Sequence, residues 1–90
     1  VWIKFLDEID ADRRATHIEN LRALIHTVPG IESLRIGENF TARSMGYTHG
    51  LIVRLPDRAA LRTYADHPEH VKVAAPLKED ADLLAMDIEC

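Results

Sequence analysis

Three side chains able to move protons crowd one short stretch of this chain, Tyr64-Ala-Asp-His67-Pro-Glu-His70. Two more, Tyr47 and His49, stand close together in Gly46-Tyr47-Thr48-His49-Gly50. A neutral imidazole can take a proton from a carbon acid near neutral pH, and a phenol beside it can donate to the oxyanion that develops. Cofactor-free acid-base chemistry is therefore open to these residues. They also have a structural reading, in which His67 caps a helix start while His70 and Tyr64 are half-buried residues with hydrogen-bonded tips. His67 and His70 are three residues apart, but a proline sits between them and no third ligand lies nearby in sequence, so a metal site is not expected. His49 shares a strand face with Leu51, Val53 and Leu55, where a satisfied core histidine is more natural than a ligand.

The chemistry that is missing narrows the field. There is no glycine-rich phosphate loop, no Ser-His-Asp order and no nucleophilic cysteine in a basic setting, and no cofactor is expected. The single cysteine is Cys90, the last residue, so it cannot staple the chain to itself. Eleven Lys and Arg against fifteen Asp and Glu give a formal charge of -4, with no basic run to grip phosphates, which argues against nucleic acid. No apolar run approaches the roughly 20 residues that cross a bilayer. A cytoplasmic protein without membrane or nucleic-acid partners is expected. Val1 already stands inside a strand pattern, so residues upstream of it are expected as well.

Ninety residues suffice for one domain, 1–90, but for only a small core, so a partner that buries a further face would help. Val1 to Leu6 is rich in β-branched and aromatic residues and reads as a strand. Asp10 is placed to cap a helix whose apolar positions are Ala11, Ala15, Ile18, Leu21, Leu24, Ile25 and Val28, before Pro29-Gly30 stops it. His17 and His26 read as solvated positions on that helix. Ile31 to Gly37 alternates as a strand, Glu38 to Met45 is loop, and Tyr47 to Leu55 is a third strand with Tyr47 and His49 on the same face. Pro56-Asp57 starts a short helix. Asp66-His67-Pro68 ends it and starts another, which Pro76 should weaken, and Asp82 to Glu89 is the last strand.

This order, β-α-β-β-α-β, is that of an α+β ferredoxin-like fold with an antiparallel sheet covered by helices on one face. The first and last strands are apolar on both faces, Trp2 and Leu6 opposing Val1, Ile3 and Phe5 in the first. Something must cover the other side of the sheet, and a second copy joined through sheet faces in a twofold homodimer is the expected cover.

Several strings resemble the stress-responsive α/β barrel, or Dabb, domain family: Val1-Trp2-Ile3-Lys4-Phe5, Val28-Pro29-Gly30-Ile31, Gly37-Glu38-Asn39-Phe40, Gly46-Tyr47-Thr48-His49-Gly50, Tyr64-Ala-Asp-His67-Pro-Glu-His70-Val71 and Met86-Asp87-Ile88-Glu89. The resemblance implies a dimeric ferredoxin-like barrel. It includes heat-stable and stress-induced plant proteins, bacterial members of unknown role and a plant polyketide cyclase. The cyclase's catalytic tyrosine and histidine fall on Tyr64 and His70, and a further pocket histidine on His49. A pocket tyrosine of its first long helix falls on Leu21, and a first-strand histidine would lie before Val1.

The expected function is that of a stress-responsive barrel protein binding a small, partly apolar molecule between sheet and helices. His70 and Tyr64 are the candidate acid-base pair, and His49, Tyr47, Leu21 and His67 the candidate binding residues. If the chain is an enzyme, it is a cofactor-free cyclase, lyase or isomerase acting on a β-keto or phenolic compound. The contrasting expectation is a structural dimer without turnover.

Overall fold

A computed structural model describes residues 1–90. The elements are β1 (Trp2–Phe5), α1 (Ala11–Thr27), β2 (Ser33–Glu38), β3 (His49–Arg54), α2 (Arg58–Asp66), α3 (Pro68–Asp80) and β4 (Ala81–Leu84). The four strands form one sheet in the order β2-β3-β1-β4, every neighbouring pair antiparallel. This is the ferredoxin-like arrangement. No helix is long and apolar enough to cross a membrane.

Local chemistry sets most boundaries. The Asp10 carboxylate accepts the Arg13 N–H at 2.8 Å, satisfying a donor that the first turn of α1 leaves free, and Asp57 does the same for Ala60 in α2. Gly30, at φ 89°, takes the left-handed turn after α1 that a side chain would resist. His67 closes α2 and opens α3: its N–H bonds the Tyr64 carbonyl, and its Nδ1 accepts the Glu69 N–H at 3.1 Å. Pro68 follows at the first helical position, where a missing N–H costs nothing.

Several boundaries differ from expectation, among them Glu38, expected in the loop but standing last in β2 opposite His49. The last strand ends at Leu84 because β1 offers only Trp2 to Phe5 for pairing, and the register Trp2 to Leu84 exhausts it. Strand β3 begins at His49, since Tyr47 is held in a turn by its N–H to the Ser44 carbonyl. Pro76 does not cut α3 short. The helix runs on to Asp80, anchored by the buried Leu77 and Asp80.

The core lies between the helices and one sheet face, joining Ile3, Phe5, Leu51 and Ala81 to Leu21, Leu24, Val28, Tyr64 and Leu77. Only 11 of 90 residues are buried, a small core for a free-standing chain. Strand alternation sends Trp2, Ile52 and Leu84 to the opposite face, where they are 55%, 65% and 48% exposed. There Leu84, Trp2, Gly50 and Gly37 form one cross-strand row, so two positions without side chains lie beside the tryptophan.

Candidate functional site

A cleft of about 450 Å³ lies between α1 and the two stems of the β2–β3 loop. Arg14, Ala15, Ile18 and Arg22 contribute its helical wall, and Glu38 and His49 its strand wall. His49 is partly buried and meets the Phe5 ring edge-on, at 5.5 Å between centroids. Its Nδ1 is 2.9 Å from the Thr48 hydroxyl, which itself donates to the Ile3 carbonyl at 3.0 Å. The one hydroxyl proton is thereby spent, so Nδ1 carries the imidazole proton and Nε2 keeps its lone pair. Burial lowers the His49 pKa; Glu38 works against this shift and Arg14 adds to it. At neutral pH His49 therefore offers a neutral acceptor and base.

Arg14 is held in place without being neutralised. Its Nε donates to the Ile9 carbonyl at 2.7 Å and its Nη2 to the Leu6 carbonyl at 3.1 Å, while the guanidinium lies 5.5 Å over the Phe5 ring. Arg22 differs, because its Nη1 pairs with Glu19 at 2.9 Å. Among the charged cleft residues, Arg14 and Glu38 have no ionic partner within the chain.

A second constellation lies where α2 meets α3. The rings of Tyr64 and His70 are tilted against each other, 4.4 Å between centroids. The His70 Nδ1 is 3.0 Å from the Ala65 carbonyl, which can only accept, so Nδ1–H is the donor and Nε2 is free. The Tyr64 ring is buried, and desolvation raises its pKa, keeping the phenol protonated as a donor. No buried polar side-chain atom lacks a partner and the Tyr64 hydroxyl has none within the chain, so its oxygen reaches the surface. His70 borders a smaller groove of about 270 Å³ with Val71 and Lys78, separate from the His49 cleft.

The profile of the stress responsive A/B barrel domain matches residues 1–90, the whole of this sequence. The chain belongs to the stress-responsive barrel family. Solved structures share its fold. An Arabidopsis thaliana protein is 18% identical, with 99% of this chain and 94% of that one covered at a TM-score of 0.80. A Jannaschia protein, described as a dimeric ferredoxin-like protein of unknown function, is 28% identical over 98% of this chain and 94% of its own, at a TM-score of 0.78. A dimeric protein of unknown function from Bacteroides fragilis is 20% identical, covering 91% and 82%, at a TM-score of 0.71. No curated protein matches the sequence significantly.

Within this stress-responsive barrel the expected site residues are dispersed. Tyr64 and His70 come together, but His49 borders a different cleft. Tyr47 leaves the His49 face: lying outside β3, it turns its ring edge-on to Trp2, 5.9 Å away, on the open side of the sheet. Leu21 is core, 4% exposed. His67 spends Nδ1 on its helix cap and makes the structural contact foreseen for it. No group of three or more His, Cys, Asp or Glu side chains is arranged to hold a metal ion.

His17 requires a correction. It is buried, 6% exposed, with its ring stacked on Phe5 and its Nε2 2.6 Å from the Asp80 carboxylate. Arg13 binds the same carboxylate through Nε at 2.6 Å and Nη2 at 2.9 Å. The His17 hydrogen bond, followed by Arg13, holds the Asp80 pKa low against the opposing effect of burial. The cue lay in spacing: His17, Leu21, Leu24 and Val28 form one buried stripe at intervals of four, three and four. Ala11, Ala15 and Ile18, counted with that stripe in the sequence, instead border the cleft.

Proposed function

We propose that this chain acts in the cytoplasm as a homodimer that binds a small molecule in the cleft at His49. The observation that carries this reading is the paired provision at that cleft: a neutral imidazole with a free Nε2, and a guanidinium fixed by two carbonyls but left without a counter-ion. Groups oriented in advance in a concavity lose little freedom when a ligand arrives. Apolar atoms make up the larger part of the wall surface, so apolar contact adds to affinity while the placed hydrogen-bonding and charged groups select the ligand.

The homodimer is supported by the small core and by the uncovered apolar sheet face bearing Trp2, Ile52 and Leu84. The Jannaschia and Bacteroides fragilis proteins are described as dimeric. A second copy packing on that face would bury it, while α1, the helical wall of the cleft, packs on the other face of the sheet.

The test is the unfolding midpoint of the purified protein against small acids, polyols, phenols and β-keto compounds. A ligand at about 100 times its dissociation constant adds about 2.7 kcal/mol, on the order of ten degrees or more for a domain of this size. The expected result is a selective rise that disappears in Ala15→Trp, which fills the cleft from an exposed helix position. No rise with any compound, or one that survives Ala15→Trp, would refute this site.

A second reading, a polyketide cyclase-like or isomerase activity, draws on the Tyr64 and His70 contact. There a free imidazole nitrogen stands beside a protonated phenol, His70 serving as base and Tyr64 as oxyanion donor.

A further inference from the structure

The cleft at His49 has a hydrogen-bonding demand that defines a ligand class. Two of the five Arg14 N–H groups go to the Ile9 and Leu6 carbonyls, leaving three donors, two on Nη1 and one on Nη2, around a full positive charge. That fork suits a carboxylate. The strand wall makes the opposite demand. His49 Nε2 is an acceptor once Nδ1 has donated to Thr48, and Glu38 is a carboxylate with no cation or hydrogen-bond donor from a side chain. Glu19 and Arg22 satisfy each other at the rim and ask for nothing.

We infer that the cleft takes a small aliphatic hydroxy acid, with its carboxylate on the Arg14 fork and its hydroxyls donating to His49 Nε2 and Glu38. A plain fatty acid would leave both acceptors without donors, and a neutral polyol would leave the guanidinium without its anion. Either mismatch removes charge-assisted or acceptor hydrogen bonds that the hydroxy acid makes. The carbon chain between carboxylate and hydroxyls also keeps the bound anion apart from Glu38. The apolar part of the walls, to which two alanines and Ile18 contribute, receives the carbon chain of this ligand. This inference rests on the cleft being the ligand site, and its test separates the two ideas.

The experiment is a titration of the intact chain followed by amide chemical shifts, with three six-carbon probes: gluconate, sorbitol and hexanoate. Sorbitol has the hydroxyls without the carboxylate, and hexanoate the carboxylate without the hydroxyls. Gluconate is expected to give saturable shifts at Gly37, Glu38, Thr48 and His49, with each of the other probes at least about tenfold weaker. Arg14→Gln should reduce gluconate to the level of sorbitol, whereas Glu38→Gln should leave the carboxylate preference in place. Should Arg14→Gln fail to fold, the wild-type comparison decides alone. Sorbitol binding as well as gluconate would overturn the role of Arg14, and hexanoate binding as well as gluconate that of the acceptors. The phenols of the unfolding panel, titrated in the same way, would overturn the hydroxy-acid class alone if they shifted the cleft amides and gluconate did not. Silence from every compound would overturn the class and the site together.

Discussion

Trp2→Lys should break the homodimer while leaving the fold of each chain intact. Trp2 is 55% exposed in the single chain, and a tryptophan offers roughly 250 Å² in all, so a partner covering it would bury about 140 Å². At about 25 cal/mol per Å² that is about 3.4 kcal/mol, and a twofold interface counts it twice, for about 7 kcal/mol. Incomplete cover and the costs of association reduce the figure. Retaining half, about 3.4 kcal/mol, still weakens the dimer roughly 300-fold, before any penalty for an unpaired ammonium in the interface. Sedimentation equilibrium across the micromolar range reads this directly, and circular dichroism checks the fold, since Trp2 also touches Tyr47. Ile52→Lys, on the same face and 65% exposed, should act in the same direction without disturbing that aromatic contact. If both variants dimerise as tightly as the wild type, the open sheet face is not the interface and the area argument fails.

Four further outcomes concern the core, the cleft and the junction of α2 with α3. Leu24→Ala, at a position 1% exposed, should cost about 2 to 5 kcal/mol in urea unfolding, and a loss below 1 kcal/mol would contradict the packing of α1 on the sheet. Because the folded-state pKa of His49 lies below its ordinary 6.5, the unfolded chain binds the proton first; stability should fall as pH drops below about 6.5, a slope that His49→Gln removes. Asp80 has its pKa depressed below the ordinary 3.8, so its contribution is complete above that value and is lost as pH falls through the folded-state pKa; Asp80→Asn should lower stability at neutral pH and flatten the acid limb. His70→Ala should abolish any enolisation measured by solvent deuterium uptake into a β-keto probe, with the dimer unchanged, and undiminished uptake would remove His70 from the role of base.

The parts of this molecule that were legible in sequence are those written in neighbouring residues. Asp10, Asp57 and the His67-Pro68 pair announce helix ends because capping acts over two or three positions. The order of strands and helices along the chain is legible in their composition and apolar spacing. What stayed hidden depends on chain segments far apart. His17 looked solvated because its partner Asp80 lies 63 residues on, and only the spacing to Leu21 and Leu24 marked it as inward. A pocket between sheet and helices near His49 is expected from the sequence, but the part of Arg14 in it is hidden for the same reason. His49 was singled out, but Arg14 reads as an ordinary charged helix residue until the β1–α1 connection folds its carbonyls around it. Tyr47 departs from the His49 face because strand alternation does not reach the two residues before the first strand position, His49.

The double duty of His67 also determines where this chain tolerates a change of length. One residue terminates α2 and initiates α3, so an added amino acid there would strand the Glu69 N–H and turn the second helix about its axis, withdrawing Leu77 and Asp80 from their partners. The segment from Asn39 to Tyr47 ties itself together through Asn39, Thr41 and Ser44 and carries Phe40 and Met45 outward. Epitope tags, fluorescent reporters or evolutionary insertions therefore belong in that loop, and the junction between the two helices should be left at its present length.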